Sequence, residues 1–169
     1  MSLDLGDDLS YPRRMLKKSE IKKVFPEINK FKNELGFDEK RTRIEIIVTD
    51  DGNLYLFDGK PHLFRSEDKL IPTLFFDRYI MAAPKIIVDM GAVPHLCNGA
   101  DVMAPGVEKV SNEFLKGDYV TIVDEKYGKV IAIGEALFNS DEILKLNKGK
   151  VIRILHYVGD NIYEISKRI

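Results

Sequence analysis

Apolar residues near the start of the chain recur with the period of a helix. Between residues 19 and 35 they are spaced three or four positions apart, at Ile21, Val24, Ile28, Phe31 and Leu35. This spacing places them on one face of an α-helix. Pro26 interrupts that face. Because proline has no amide proton, we expect either a kink there or a second helix with Pro26 in its first turn. We expect the helix to end at Gly36.

The period then changes to the alternation that is typical of strands. Residues 43–48 and 54–56 alternate on either side of Asp-Asp-Gly-Asn, which predicts a β-hairpin. The apolar stretch 69–84 predicts a strand that passes into a short helix. Because Pro84 disfavours helix at Ala83, we place a boundary after Ala82. Residues 1–82 are therefore predicted to form a small α+β module.

Short Val- and Ile-rich runs dominate the rest of the chain. Residues 85–89, 118–125, 129–138 and 150–158 predict strands. Two short helices are predicted, one at 92–98 with Pro94 in its first turn, and one with Ser140 as N-cap and Gly149 just past its end. Gly99 is expected to end the first helix in a left-handed conformation, before a strand at 100–104 and a turn at 105–106. Residues 83–169 are predicted to form a small barrel, and the fold class is α+β.

Composition limits the classes of partner. The chain of 169 residues is 44% hydrophobic with a net charge of -1, which predicts a folded protein without a global attraction for polyanions. The single Cys97 excludes an internal disulfide. The first ten residues are acidic, unlike a secretory signal, and no apolar run reaches the length of a membrane span. We expect a cytoplasmic protein that does not enter a membrane.

Candidate catalytic chemistry is sparse. His95 and Cys97 stand two residues apart, so on a helix they point to different sides, and Cys97 is expected to be a half-buried structural residue. His62, His95 and His156 lie on separate segments without a metal-ligand spacing. There is no nucleotide-binding glycine motif. We predict no catalytic residue, no metal site and no cofactor.

The second part of the chain carries a more specific signal in the order of its motifs. After the strand at 85–89 come Gly-Ala at 91–92, Asn-Gly-Ala at 98–100, Pro-Gly-Val at 105–107, Lys-Gly-Asp at 116–118 and Gly-Glu-Ala at 134–136. Over residues 83–160 this order resembles the PUA domain, an RNA-binding pseudo-barrel found beside pseudouridine synthases and archaeosine transglycosylases. The preceding residues are too few for those catalytic domains. An α+β module directly before such a domain resembles the archaeal relatives of malignant T-cell amplified sequence protein and the amino-terminal part of ligatin.

The resemblance implies where RNA would lie. It implies a groove formed by the first helix of the PUA domain, the glycine loop after it and the neighbouring strands, with amide donors exposed to the sugar and phosphate groups. The residues expected to face RNA are Gly91, Ala92, His95, Asn98, Gly99, Ala100 and Asp101. His156 and Tyr157 are candidates either for stacking on a base or for the barrel wall. Gly106 and Gly134 are expected to serve the fold.

The same resemblance implies a role in translation without catalysis. The expected partners are tRNA, at its acceptor end, or rRNA, on the small ribosomal subunit, together with a protein like density-regulated protein. The alternative is a protein-interaction adaptor, in which the first module binds a partner protein and the PUA fold has little affinity for RNA. Saturable binding to tRNA at moderate salt would distinguish the first reading from the second.

Local charge adds one more candidate surface. Residues 13–43 contain eleven lysines or arginines and five acidic residues. A basic patch in this segment would consist of Arg13, Arg14, Lys17, Lys18, Lys22 and Lys23. The alternative without a ligand is a helix face that is rich in lysine for solubility. If the patch binds RNA, each neutralised phosphate should steepen the logarithmic salt dependence by roughly 0.7 to 0.9.

Overall fold

Two units make up the part of the chain that the computed structural model describes, which is residues 2–4 and 10–169. One unit runs to Tyr79 and includes Glu164–Ile169, and the other is Ile80–Tyr163. The sequence-based division into 1–82 and 83–169 assigns the last six residues to the other unit. Residue 1 and residues 5–9, part of the acidic start of the chain, lie outside the described residues.

An antiparallel sheet forms the centre of the first unit. Its six strands follow one another in chain order: β1 (Ser2–Asp4), β2 (Ser10–Met15), β3 (Ile44–Thr49), β4 (Gly52–Phe57), β5 (Lys60–Ser66) and β6 (Lys69–Pro72). The predicted hairpin is confirmed as β3 and β4. Gly52 is required there because a Cβ atom at this position would lie 1.9 Å from the Arg65 carbonyl oxygen. The predicted passage from strand to helix is confirmed as β6 and α3 (Asp77–Ala82).

The predicted helix is present, but its break lies elsewhere. Helix α1 (Lys18–Ile28) is followed by a 3-10 turn (Asn29–Phe31) and by α2 (Lys32–Leu35). The alternative of a second helix with Pro26 in its first turn is wrong, since Pro26 lies inside α1. Pro26 and Lys22 are both exposed, so water can satisfy the Lys22 carbonyl that lacks a helical donor. Gly36 ends α2 with φ of 58°, as predicted.

A second six-stranded sheet curls through the other unit. In space its strands run β8 (Val102–Met103), β12 (Lys150–Tyr157), β11 (Val130–Ala136), β10 (Tyr119–Asp124), β7 (Lys85–Val88) and β9 (Val107–Ser111). The β7–β10 pair is parallel, and the other pairs are antiparallel. The four predicted Val- and Ile-rich strands are confirmed as β7, β10, β11 and β12. The core of this unit contains the fully buried side chains of Ile86, Val88, Val120, Ile122 and Ile152. The predicted architecture, a small α+β module followed by a pseudo-barrel with short helices, is confirmed.

Several local predictions in this unit need correction. The second short helix is α5 (Ser140–Ile143), and its N-cap is Asn139 instead of Ser140, because the side chains of Asn139 and Glu142 cap each other's backbone N–H groups. Gly149 does not cap α5; it lies in the turn before β12 with φ of 89°. The strand predicted at 100–104 is limited to β8, since Ala104–Gly106 forms a 3-10 turn. Strand β9 and helix α6 (Asn161–Lys167) were not predicted.

The first short helix is α4 (Val93–Leu96), with Pro94 in its first turn as predicted.

No helix in the part of the chain that the structure describes has the length and hydrophobicity that a membrane crossing requires.

Candidate nucleic-acid interface

A groove of about 640 Å³ lies on the second unit, between α4, the loop that follows it, β8 and the start of β12. Small and apolar side chains form most of its wall. The lining residues are Asp89, Ala92, His95, Leu96, Gly99, Ala100, Asp101, Val102, Met103, Pro105, Gly106 and Lys150.

Local hydrogen bonds shape the groove at both ends of α4. Before the helix, the Ala92 N–H donates to Asp89 Oδ1 at 2.8 Å. After it, the Gly99 N–H donates to the Leu96 carbonyl at 3.0 Å and the Ala100 N–H to the His95 carbonyl at 3.0 Å. The expectation that these amides are open donors is therefore wrong, because the end of the helix uses them. Polar recognition in the groove therefore cannot rely on the N–H groups of Ala92, Gly99 and Ala100.

Gly99 is fixed by conformation and by packing together. Its φ of +86° is in the left-handed region, as predicted for the end of α4. A Cβ atom at this position would lie 3.0 Å from Tyr157 Cε1 and 3.2 Å from the Tyr157 hydroxyl oxygen. Tyr157 thus packs behind the glycine and forms part of the wall that supports the loop.

Asp101 connects the loop to β12. Its Oδ1 accepts a hydrogen bond from the Ile154 N–H at 2.9 Å. Its Oδ2 lies 3.2 Å from Lys150 Nζ, at the exposed edge of the groove. The carboxylate therefore holds a lysine side chain at the groove while both of its oxygens are engaged.

The structure separates the predicted site residues into three groups. Ala92, His95, Gly99, Ala100 and Asp101 line the groove. Gly91 and Asn98 are exposed on the same segment without lining it, and Tyr157 lies behind Gly99.

His156 is the exception, and its expected stacking on a base is wrong. Its side chain is fully buried, and its Nδ1 lies 2.7 Å from Asp160 Oδ2. A ring without exposed surface cannot stack on a ligand, so His156 belongs to the barrel wall.

Sequence reasoning did not select seven of the lining residues, and one of these, Gly106, was expected to serve the fold: Asp89, Leu96, Val102, Met103, Pro105, Gly106 and Lys150. Met103 is 46% exposed on β8, although the alternation around it gave no reason to expect an exposed apolar side chain. Lys150 lies opposite Met103 in the β8–β12 ladder. The pairing of β8 with β12 brings them together, and local sequence carries no signal for such a pairing.

The predicted basic patch lies on the first unit, and ion pairs reduce its charge. Arg13 Nε contacts Glu45 Oε2 at 2.9 Å, on a largely buried face of the sheet, and Arg14 contacts Glu20 Oε1 at 2.7 Å. The hydrogen bonds from Arg14 and from the Lys17 N–H lower the pKa of Glu20 to about 2, so Glu20 is charged at neutral pH. The lysines of the patch, Lys17, Lys18, Lys22 and Lys23, are exposed.

Other candidate chemistry remains weak. Among the described residues there is no cluster of three or more potential metal ligands. Cys97 is half-buried, as expected for a structural cysteine.

Comparison with known proteins places the groove in a family context. The PUA domain model matches residues 84–158, and the model of a domain of unknown function (DUF1947) matches residues 12–79. An uncharacterised protein of Methanocaldococcus jannaschii is 40% identical over 156 residues, which cover 91% of this chain and 96% of that protein. Translation machinery-associated protein 20 of Saccharomyces cerevisiae is 32% identical over 157 residues, which cover 88% of this chain and 86% of the yeast protein.

The chain belongs to the translation machinery-associated protein 20 family of PUA-domain proteins. The PUA domain predicted from the order of motifs, and the family predicted from the module that precedes it, are thereby confirmed. Among solved structures, a hypothetical protein of Pyrococcus horikoshii superposes with a TM-score of 0.72 at 28% identity, covering 92% of this chain and 99% of that one. A probable tRNA pseudouridine synthase B of Pyrobaculum calidifontis is 49% identical over 70 residues, which are 41% of this chain and 21% of the enzyme. The relatives that match most of the chain are not named as enzymes.

Proposed function

We propose that this protein is a cytoplasmic, non-enzymatic RNA-binding protein of the translation machinery, and that RNA binds in the groove beside α4. The family supports a role in translation, because a member that matches along most of this chain is named for its association with the translation machinery. The PUA domain supports RNA as the ligand. Within this proposal the preferred ligand is the acceptor end of tRNA, bound on the small ribosomal subunit with a protein like density-regulated protein as partner.

The composition of the groove is the observation that carries the proposal. Its wall contains one lysine and one histidine, and the carboxylates of Asp89 and Asp101 are engaged in hydrogen bonds within the protein. A double helix would require an array of cations for its two backbones. An unstacked nucleotide requires apolar surface for its base and sugar and few charges, which is what the groove offers. A single-stranded end of an RNA fits these requirements better than a duplex does.

The steric openness of the loop is a second support. At Gly99 and Ala100 the chain carries little or no side chain, so a ribose can approach the main chain closely. His95 is exposed at the end of α4 and offers a ring for stacking or hydrogen bonding.

A binding titration with a variant that introduces a negative charge into the groove tests this proposal. The substitution Ala100→Glu is suitable, because Ala100 is exposed and is not among the residues with positive φ, so the fold should tolerate glutamate. Leu115→Glu is the matched control, since Leu115 is 65% exposed and does not line the groove. Each protein is titrated into fluorescently labelled tRNA, with and without its 3′-terminal CCA, at one near-physiological salt concentration.

We expect Ala100→Glu to weaken binding of intact tRNA by about tenfold or more, equivalent to about 1.4 kcal/mol. Leu115→Glu should bind like the unaltered protein. Removal of CCA from the tRNA should lower the affinity of the unaltered protein and leave the affinity of Ala100→Glu nearly unchanged. Equal and weak binding by all three proteins, with and without CCA, would contradict the proposal and would favour the adaptor alternative.

A further inference from the structure

The groove itself cannot balance the charge of an RNA backbone. Lys150 is its single lysine, and Asp101 Oδ2 already lies 3.2 Å from the Lys150 ammonium group. An RNA strand that places one nucleotide in the groove continues on at least one side, and its next phosphates also need cations. The surface next to the groove is therefore the place to look for them.

A basic segment adjoins the groove at Lys150. Residues 144–153 contain Lys145, Lys148, Lys150 and Arg153 and no acidic residue. Arg153 pairs with Glu135 at 2.7 Å. The three lysines are exposed. We call them the lysine ridge.

The fold holds the ridge at the edge of the groove. The Gly149 carbonyl accepts a hydrogen bond from the Ala104 N–H at 2.8 Å, and Lys150 lies opposite Met103 in the ladder between β12 and β8. Leu146 packs against the core of the unit, and its N–H donates to the Ile143 carbonyl at 3.1 Å. Anchored at both ends, the segment keeps Lys145 and Lys148 exposed within five residues of Lys150, which lines the groove.

Asp101 gives the ridge a defined end. Its Oδ1 is fixed by the Ile154 N–H, so its Oδ2 can orient the Lys150 ammonium group without moving itself. The remaining hydrogens of that ammonium group are available to a ligand. Asp101 is thus a positioning residue for Lys150, which explains why an acidic residue lies in a groove that is proposed to bind a polyanion.

We infer that the lysine ridge binds the phosphates of the RNA strand that flank the nucleotide in the groove, with Lys150 at the phosphate nearest the groove and Lys148 and Lys145 beyond it. This inference rests on the proposed function and adds the path of the strand. It assigns the electrostatic contacts in the second unit to the segment 145–150.

The salt dependence of binding measures these contacts directly. Affinity for labelled tRNA is measured at several salt concentrations for the unaltered protein, for Lys145→Gln, Lys148→Gln and Lys150→Gln, and for the triple variant. Lys126→Gln is the control, because Lys126 is an exposed lysine of the same unit that does not line the groove and stacks over the Tyr127 ring at 5.1 Å. Circular dichroism confirms that each variant is folded.

Each ridge substitution should reduce the slope of log affinity against log salt by about 0.7, the value for one phosphate contact of a single strand, and the triple variant by about 2. Lys126→Gln should leave the slope unchanged. Asp101→Asn should weaken binding in the unaltered background, and its effect should disappear in the Lys150→Gln background.

The outcomes separate this inference from the proposed function. Suppose that the unaltered protein binds tRNA, that Ala100→Glu weakens this binding as expected, and that the triple variant keeps the slope of Lys126→Gln. Binding by the ridge is then refuted, while binding in the groove is supported. If the unaltered protein does not bind RNA saturably, both are refuted. If the slope falls for the ridge variants alone, the path of the strand is supported.

Discussion

Replacing Gly99 with alanine should destabilise the protein more than the same replacement at Gly117. Both glycines have left-handed backbones, with φ of +86° and +93°. Alanine in this region costs about 1 to 2 kcal/mol at either site. They differ in their surroundings, because a Cβ at Gly117 has no atom within 4 Å while a Cβ at Gly99 lies 3.0 Å from the Tyr157 ring.

The additional cost at Gly99 follows from that contact. Inserting a methyl group into a packed site typically costs about 1 to 3 kcal/mol, because neighbours must leave their preferred rotamers. We therefore expect a loss of about 1 to 2 kcal/mol for Gly117→Ala and about 2 to 5 kcal/mol for Gly99→Ala. In a Tyr157→Ala background the ring is absent, and the two substitutions should cost the same.

Urea denaturation followed by far-ultraviolet circular dichroism is the suitable assay, since the chain contains no tryptophan. A loss for Gly99→Ala that is no larger than the loss for Gly117→Ala would refute the packing of Tyr157 behind the glycine. The same contact makes a bulky substitution at Gly99 a poor test of RNA binding, because such a variant would disturb the wall of the groove. Ala100→Glu avoids this difficulty.

Two further predictions concern ionisation in the first unit. Glu20 should titrate near pH 2 in an NMR experiment, because the hydrogen bonds from Arg14 and the Lys17 N–H lower its pKa to about 2. Arg14→Gln should return this pKa toward the ordinary range. Titration of Glu20 near pH 4 in the unaltered protein would contradict the ion pair. Burial, with a smaller contribution from Lys60, lowers the pKa of His62, whose ring stacks on Phe76 at a centroid distance of 4.4 Å. The unfolded chain therefore binds a proton more readily, so His62 should lower the free energy of unfolding as pH falls below about 6.5, its ordinary pKa. Urea titrations at several pH values should show a shallower loss for His62→Gln, and an identical pH dependence would contradict the depressed pKa.

The strands with strong alternation or dense Val and Ile could be predicted from sequence because burial alone decides them. Strands β2 and β5 could not. Strand β2 carries Arg13, which is accommodated on a largely buried face only because Glu45 on the neighbouring strand pairs with it. Such a strand is stabilised by a partner distant in the sequence, and local pattern does not contain that partner.

The candidate groove shows the same limit. Glycine and proline positions predicted the short helix α4, its end at Gly99 and the turn at 105–106, since these depend on backbone conformation. The contribution of β12 could not be predicted, because the pairing of β8 with β12 decides which residues of β12 face the groove. For that reason Lys150 was missed. Alternation alone cannot assign His156 to one face, so it stayed a candidate for the ligand although it is buried.

The distribution of charge required the structure as well. The segment 13–43 has the larger count of basic residues, yet Glu45 and Glu20 engage three of its arginines, Arg13, Arg14 and Arg43. The shorter segment 144–153 has fewer basic residues, but the fold anchors it beside the groove through the Gly149 carbonyl.

The most direct test of RNA binding in the groove is an NMR titration of the isotopically labelled full-length protein with a short acceptor-stem RNA that ends in single-stranded CCA. Our account predicts that the amide signals of the α4 loop, especially Ala100 and Asp101, and of Met103 and Lys150 shift together and saturate. The same duplex without CCA should move them far less. Shifts that spare these residues, or that are identical for the two RNAs, would contradict the account.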